Sequence, residues 1–319
     1  MQTRGLTKKY GELFALDAVS LTLRQGDVYG LVGRNGAGKT TFFKCVMGLA
    51  KPSAGEVEIG GERARLNAAR RRMGFMINPS FFPYLNPYEN LKYLCRVRGT
   101  RDQGEVGRLL KLVGLDGVKK PFKAFSLGMK HRLGIAGALL GNPSIVVLDE
   151  PVNGLDPQGI IDMRKVIKDV HAQTGATFII SSHILSELDL VATRFGFIEQ
   201  GVLLKEITHT DLHEHTKKTL LIEVGDAGDA AKAIAALKSI GIEGGVSGNG
   251  NRLVLDAHLD RTNEIARALI AGGVELYGLH RQETTLEEYF VRMVGGLGGK
   301  PGDGLGGKPG GKLGGGLDA

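Results

Sequence analysis

The octapeptide Gly33-Arg34-Asn35-Gly36-Ala37-Gly38-Lys39-Thr40 limits what this chain can fold into more than any other segment. It has the form G-x-x-x-x-G-K-T. Its glycines let the backbone curl until successive N–H groups point inward at phosphate oxygens. Lys39 puts a point charge on the β- and γ-phosphates, and Thr40 offers a hydroxyl to Mg²⁺. The flanks supply the context that such a loop needs. Val28-Tyr29-Gly30-Leu31-Val32 is a short apolar run, read as a buried strand. Thr41-Phe42-Phe43-Lys44-Cys45-Val46-Met47 reads as a helix. Its N-terminus, carrying roughly half an elementary positive charge, would sit under the phosphates.

With 319 residues the chain has ample length for a buried core and for one or two domains. A net charge of +7 is modest for this size. It fits nucleic acid or an anionic membrane surface, and it fits a solvated surface equally well. The basic cluster Arg63, Arg65, Arg70, Arg71 and Arg72 lacks interleaved aromatics and is read as a solvated face, so no nucleic acid is expected as partner. Cys45 and Cys95 have no metal-type spacing and are read as structural thiols in a reducing compartment. The start, Met1-Gln2-Thr3-Arg4-Gly5, lacks an apolar signal core. No apolar stretch approaches the roughly 20 residues that span a bilayer. The expectation is a cytoplasmic protein, peripheral at a membrane only if a partner holds it there.

Strand-like and helical segments alternate as far as residue 206, the pattern of an α/β domain. Residues 144–148 and 177–180 are uninterrupted apolar runs, as expected of central parallel strands covered on both faces. Residues 19–24 and 55–59 alternate and predict a small antiparallel sheet. Residues 87–138 read as mainly helical. After a polar stretch at 208–218, residues 207–294 form a second unit. Its strands are predicted at 220–224, 242–246, 252–256 and 274–279, and its helices at 229–240, 261–271 and 285–294. That order is a ferredoxin-like βαββαβ unit with one added helix. From 295 to 319 the chain nearly repeats Gly-Leu-Gly-Gly-Lys-Pro-Gly. Such a tail buries too little apolar area to offset its backbone entropy and is expected to be disordered.

A phosphate loop needs a carboxylate at the end of a second strand. Asp149 and Glu150 follow the apolar run 144–148, at the edge where parallel sheets bind ligands. Asp149 is placed to hold Mg²⁺, directly or through water. Glu150 is placed to polarise an attacking water. Upstream, Ser126 has the type and place of a helix N-cap. With Gly128 it would leave a helix N-terminus bare enough for a phosphate to approach.

Five motifs in order now carry a resemblance: the phosphate loop, Ser126-Leu127-Gly128-Met129-Lys130, Asp149-Glu150-Pro151, Gly154-Leu155-Asp156-Pro157 and Ser181-Ser182-His183. Over roughly residues 1–205 the chain resembles the ATP-binding subunit of an ABC transporter. The signature Ser-Leu-Gly-Met-Lys is similar to that of the bacitracin- and lantibiotic-exporter branch, whose subunits pair with ABC-2-type permeases. Thr285-Leu286-Glu287-Glu288-Tyr289-Phe290 resembles the C-terminal extension of that branch. The resemblance implies an α/β, P-loop, ABC-type nucleotide-binding domain with a parallel core sheet, a small antiparallel subdomain and a helical subdomain.

It also implies roles. Tyr10 would stack on adenine. Gly33, Arg34, Asn35, Gly36, Ala37, Gly38, Lys39, Thr40 and Thr41 would hold ATP. Ser126 and Gly128 would contact the γ-phosphate bound to the opposite subunit of a head-to-tail dimer, and Asp156 would lie at that interface. His183 would contact the γ-phosphate and position Glu150 and water, giving Glu150, His183 and Lys39 as the catalytic set. Thr40, Asp149 and Asn78 would serve Mg²⁺. One motif departs from the family. Where it has Gln or Glu, this chain has Ile77 or Asn78, depending on a one-residue gap. Asn78 has a side-chain carbonyl on a shorter stem, and Ile77 has no ligating group. The implied protein is the ATPase subunit of an exporter, acting with a second copy of itself and a separate membrane permease. The alternatives are a soluble ATPase of the same family acting on a ribosome or cytosolic assembly, and a subunit that binds ATP with little turnover.

Overall fold

The computed structural model describes residues 1–60, 62–63, 70–99, 104–215, 218–242, 246–283 and 286–295. The Gly-rich tail from 296 onward and Arg65 lie outside the described residues, as do the side chains of Arg63 and Arg70. Arg71 and Arg72 are exposed.

The chain opens with β1 (Gln2–Tyr10) and β2 (Leu13–Val19), then β3 (Val28–Val32) and α1 (Lys39–Val46). β4 (Ala54–Ile59), β5 (Glu62–Arg63) and β6 (Met73–Met76) follow. α2 (Pro87–Arg98), α3 (Gly104–Leu112) and α4 (Leu127–Leu139) form the helical stretch expected at 87–138. Then come β7 (Ile145–Leu148), α5 (Pro157–Thr174), β8 (Thr177–Ser182), α6 (Leu185–Asp189), β9 (Arg194–Glu199) and β10 (Val202–Thr208).

The central sheet has the order β10-β9-β3-β8-β7-β6. Its neighbours from β9 to β6 are parallel, and β10 is antiparallel to β9. Alternate residues of one strand enter two different cores. Val146 and Leu148 of β7 pack with α2 to α6 on one face. Ile145 and Val147 pack on the other face with Phe42 and Phe43 of α1 and with Leu6, Leu16 and Ile59 of the antiparallel sheet. Covering on both faces is why these strands read as unbroken apolar runs.

The antiparallel sheet has the order β2-β1-β4-β5. The strand expected at 19–24 is not there. Leu21 and Leu23 are buried, which produces the alternation, but only an isolated bridge from Gln2 to Thr22 forms. β1 and β2 carry the pairing instead, with register shifts on either side of Lys8 that blur their own alternation. Local caps set the helix starts. Asn86 and Glu89 form a reciprocal capping box with Pro87 in the first turn of α2, and Asp156 caps α5 ahead of Pro157.

The polar stretch at 208–218 contains a helix, α7 (His209–His215), with Leu212 buried in the core of the first unit. β11 (Lys218–Val224), α8 (Ala227–Ser239), β12 (Val246–Asn249), β13 (Arg252–Leu255), α9 (Thr262–Ala271) and β14 (Leu276–Glu283) then build a sheet of order β12-β13-β11-β14. All its neighbours are antiparallel and it has its own apolar core. This is the ferredoxin-like order. The second strand lies later than the expected 242–246, and residues 243–245 are outside the described residues.

The last helix, α10 (Leu286–Gly295), returns to the first unit. Phe290 is buried in the core beneath β9, its ring stacked 5.7 Å from that of Phe197. Lys205 donates to the Tyr289 hydroxyl at 3.0 Å. Glu287 accepts a 3.1 Å bond from the Ser186 backbone N–H in the first turn of α6. Phe290→Ala should therefore loosen α10 by about 3 kcal/mol. Native-state hydrogen exchange should show faster exchange of α10 amides, while β7 and β8 amides stay protected.

Candidate active site

The phosphate loop leaves the end of β3 and becomes α1 at Lys39, two residues earlier than the sequence suggests. Gly38 has φ 109°, and a Cβ there would stand 2.7 Å from the Ala15 carbonyl oxygen, so both conformation and space demand glycine. Lys39 is only 6% exposed. Its Nζ donates to the carbonyls of Gly33 at 2.6 Å and Arg34 at 3.2 Å, and forms an ion pair with Glu150 Oε1 at 3.1 Å. That carboxylate oxygen is otherwise buried without a hydrogen bond. The lysine is thus drawn into the loop and held beside the carboxylate at the end of β7.

Two chains of contacts converge there. Thr40 donates to Asp149 Oδ2 at 2.8 Å, and Ser181 donates to Asp149 Oδ1 at 2.6 Å. The same Ser181 hydroxyl accepts from the Glu150 backbone N–H at 2.8 Å. Glu150 Oε2 lies 2.9 Å from His183 Nδ1. Glu150 has φ 49°, a left-handed conformation that costs a non-glycine residue energy and is held here by its neighbours. The Thr40 hydroxyl and the Asp149 carboxylate are hard oxygen donors in contact, which fits Mg²⁺. Ser181 belongs to the Ser181-Ser182-His183 motif, but sequence reasoning gave it no role of its own. Its bridging of Asp149 and the Glu150 N–H shows in the fold alone.

A cavity of about 700 Å³ covers the loop, lined by Tyr10, Phe14, residues Arg34 to Thr41, Glu150 and Gly201 among others. Tyr10 and Phe14 are 51% and 42% exposed, a ring-bearing wall open to solvent. Gly33 does not line this cavity; its carbonyl anchors Lys39. Asn78 does not line it either. Asn78 is exposed at φ 44°, whereas the Ile77 side chain packs against the apolar core under the sheet. Of the two readings of this motif, only Asn78 keeps its side chain free to turn toward a metal.

Ser126, Gly128 and Asp156 are not brought to the loop. They line a separate cavity of about 400 Å³ with Gly154 and Leu155. Ser126 accepts from the Met129 N–H at 3.3 Å and Asp156 from the Gly159 N–H at 3.2 Å, so each caps its own helix. His131 of α4 connects this face to the other. Its Nδ1 lies 2.7 Å from the Pro151 carbonyl oxygen, one residue beyond Glu150, and burial lowers its pKa.

The sequence of this chain matches the ABC transporter family model over residues 16–153. It is 36% identical over 301 residues to the bacitracin transport ATP-binding protein BcrA of Bacillus licheniformis, covering 93% of this chain and 97% of that protein. It is 38% identical over 207 residues to the lantibiotic transport ATP-binding protein SrtF of Streptococcus pyogenes, covering 65% of this chain and 90% of the relative. A dimeric, post-hydrolysis structure of the ATP-binding cassette MJ0796 bound to ADP and Pi is similar at TM-score 0.59 and 25% identity, over 65% of this chain and 98% of that one. The chain belongs to the ABC transporter family, among its ATP-binding, ATP-hydrolysing cassettes. Among the described residues, no helix is long and apolar enough to cross a membrane.

Lys39→Ala should weaken ATP binding at least about ten-fold, because it removes a charge-assisted contact to the phosphates. Titration with a fluorescent ATP analogue checks this. His131 supplies a pH test. Its folded-state pKa lies below the ordinary 6.5, so the unfolded chain takes up its proton first as pH falls. Stability from this group is whole above 6.5 and is lost as pH drops from 6.5 toward the lowered folded value. Urea unfolding midpoints across that range should fall more steeply for the wild type than for His131→Gln.

Proposed function

We propose that this cassette is the ATP-hydrolysing subunit of an exporter and works as a head-to-tail pair with a second copy of itself. The observation that carries the reading is the division of the site. Lys39, Thr40 and Glu150 line one cavity, with Asp149 bonded to Thr40 and His183 to Glu150, while Ser126, Gly128 and Asp156 line another. A site split this way is completed only when the second face of one copy closes over the loop of another. The dimeric form of the MJ0796 cassette and the transport functions named for BcrA and SrtF support the same reading.

In this reading the backbone N–H groups of the loop and Lys39 bind the triphosphate. Thr40 and Asp149 would hold Mg²⁺, which when bound neutralises phosphate charge; Asn78 is the further candidate ligand. The Glu150 carboxylate orients the attacking water and accepts its proton, and His183 holds that carboxylate through the contact at Oε2. Tyr10 takes the adenine. Closure of the pair on ATP would move the bound helices of a separate permease, of ABC-2 type by the exporter-like signature, at the cytoplasmic face of the membrane. The equilibrium shifts because ATP binds the closed pair better than the open one. The domain division in this reading is 1–206 for the ATPase and 207–294 for the accessory unit.

Glu150→Gln should lower the ATPase rate by about 10²–10⁴-fold and leave ATP binding intact. The same variant with ATP should sediment as a dimer, and without ATP as a monomer. Equal rates in wild type and variant would overturn the role of Glu150. A variant that binds ATP and stays monomeric would overturn the shared site.

A further inference from the structure

Away from the ATP site, one group of side chains has the composition and spacing of a metal site. His209 and His213 stand four residues apart on α7, so both rings lie on one face of that helix. They meet Asp189, the last residue of α6. Asp189 Oδ1 lies 2.9 Å from His213 Nε2 and 3.4 Å from His209 Nε2. One ligating atom from each of the three residues lies within 4.8 Å of the others. In a tetrahedral zinc site with bonds of about 2.0–2.1 Å, neighbouring ligand atoms stand about 3.3 Å apart. Both carboxylate-to-imidazole edges match that length to within about half an ångström.

The ligands are also oriented in advance. Thr208 caps the start of α7, accepting from the Asp211 N–H at 3.2 Å and donating to its carboxylate at 2.7 Å. The His209 N–H donates to the Thr193 carbonyl at 3.0 Å, and its ring stacks on Phe195 with centroids 6.3 Å apart. Asp189 has a side chain only 13% exposed, whereas those of His209 and His213 are 44% and 47% exposed. The anchoring carboxylate is therefore fixed inside, and the two imidazoles close over it from the solvent side. Two nitrogens and one oxygen suit a borderline cation of the Zn²⁺ class, because Mg²⁺ and Ca²⁺ favour all-oxygen sets.

We propose that Asp189, His209 and His213 bind a divalent cation of the Zn²⁺ class, with solvent completing the coordination. The metal would tie α7, which leads into the accessory unit, to α6, which follows directly on His183. The test uses the full chain, free of any affinity tag and stripped of metal, titrated with Co²⁺. The expected result is one Co²⁺ per chain with visible absorption of four-coordinate intensity, displaced by Zn²⁺. His213→Ala and Asp189→Asn should weaken binding at least about ten-fold. His280→Ala, at an exposed imidazole 4.0 Å from Glu223, should leave it unchanged. Zn²⁺ should also raise the thermal midpoint of the wild type and not that of His213→Ala. Absence of the Co²⁺ spectrum at millimolar metal would overturn the proposal. So would an undiminished spectrum in both ligand variants. Either result reduces the cluster to a hydrogen-bonded network of histidines and aspartate.

Discussion

The parallel pairing of β3 with β8 and of β8 with β7 sets the spacing of the groups at the candidate active site. In that register Val32 is level with Ser182, and Leu148 with Ile180. The residues that leave the three strand ends therefore emerge side by side: the phosphate loop, the Asp149–Glu150 pair and His183. Backbone bonds continue the alignment past the strands, from the Gly33 N–H to the Ser182 carbonyl and from the Asp149 N–H to the Met76 carbonyl. Ser181 then fixes what the register has brought close, because one hydroxyl serves both Asp149 and the Glu150 N–H. The left-handed backbone at Glu150 costs on the order of 1–3 kcal/mol. It persists because the Ser181 bond, the Lys39 ion pair and the His183 contact all require that geometry.

How much of this was legible in the sequence depends on what each segment buries. β7 and β8 were plain because both their faces are covered, and a run of apolar residues has no other economical reading. The loop was plain because glycine, lysine and threonine are there for chemistry. β1 and β2 were not, since Leu13 and Phe14 point to solvent beside the nucleotide cavity and the pairing shifts around Lys8. α7 was hidden because six of its seven residues are polar and, among its described side chains, Leu212 alone is fully buried. Ser181 was named within a motif, but its role was hidden for the opposite reason. It is fully buried in an apolar strand, and a hydroxyl there acquires meaning only from a partner 32 residues away.

α6 shows how the later part of the chain reaches the catalytic edge. It has five residues and no side-chain cap. A helix that short has no stability of its own in water. It is held from three sides: by the Arg164–Glu187 ion pair from α5 at 3.0 Å, by the α7 histidines at Asp189 and by Glu287 of α10 at the Ser186 N–H. His183 stands two residues before this helix. Its approach to Glu150 is thus conditioned by three other segments of the chain, one of them beyond the ferredoxin-like unit. A change in how α10 seats would reach His183 through α6, which α10 meets by the Glu287–Ser186 bond and by apolar packing.

Gly128 sharpens the case for a shared site. Glycine is a less favoured helix residue than alanine, and Gly128 stands in the first turn of α4. At Gly38 the chain itself explains that choice, through a left-handed φ and a crowding carbonyl. At Gly128 it does not. A Cβ there would meet only Leu155 Cδ2, at an ordinary 3.7 Å, and the φ is not in the left-handed region. A Cβ at this position would crowd no neighbour within the chain. A constraint that keeps the position bare would therefore have to come from outside the folded chain. A phosphate approaching the N-terminus of α4, which Ser126 already caps, supplies such a constraint, since it needs close access to backbone N–H groups. Ser126 and Gly128 stand at a cavity of their own, apart from the loop of the same chain. In the proposed shared site, the phosphate that would meet this requirement is one carried by a second copy.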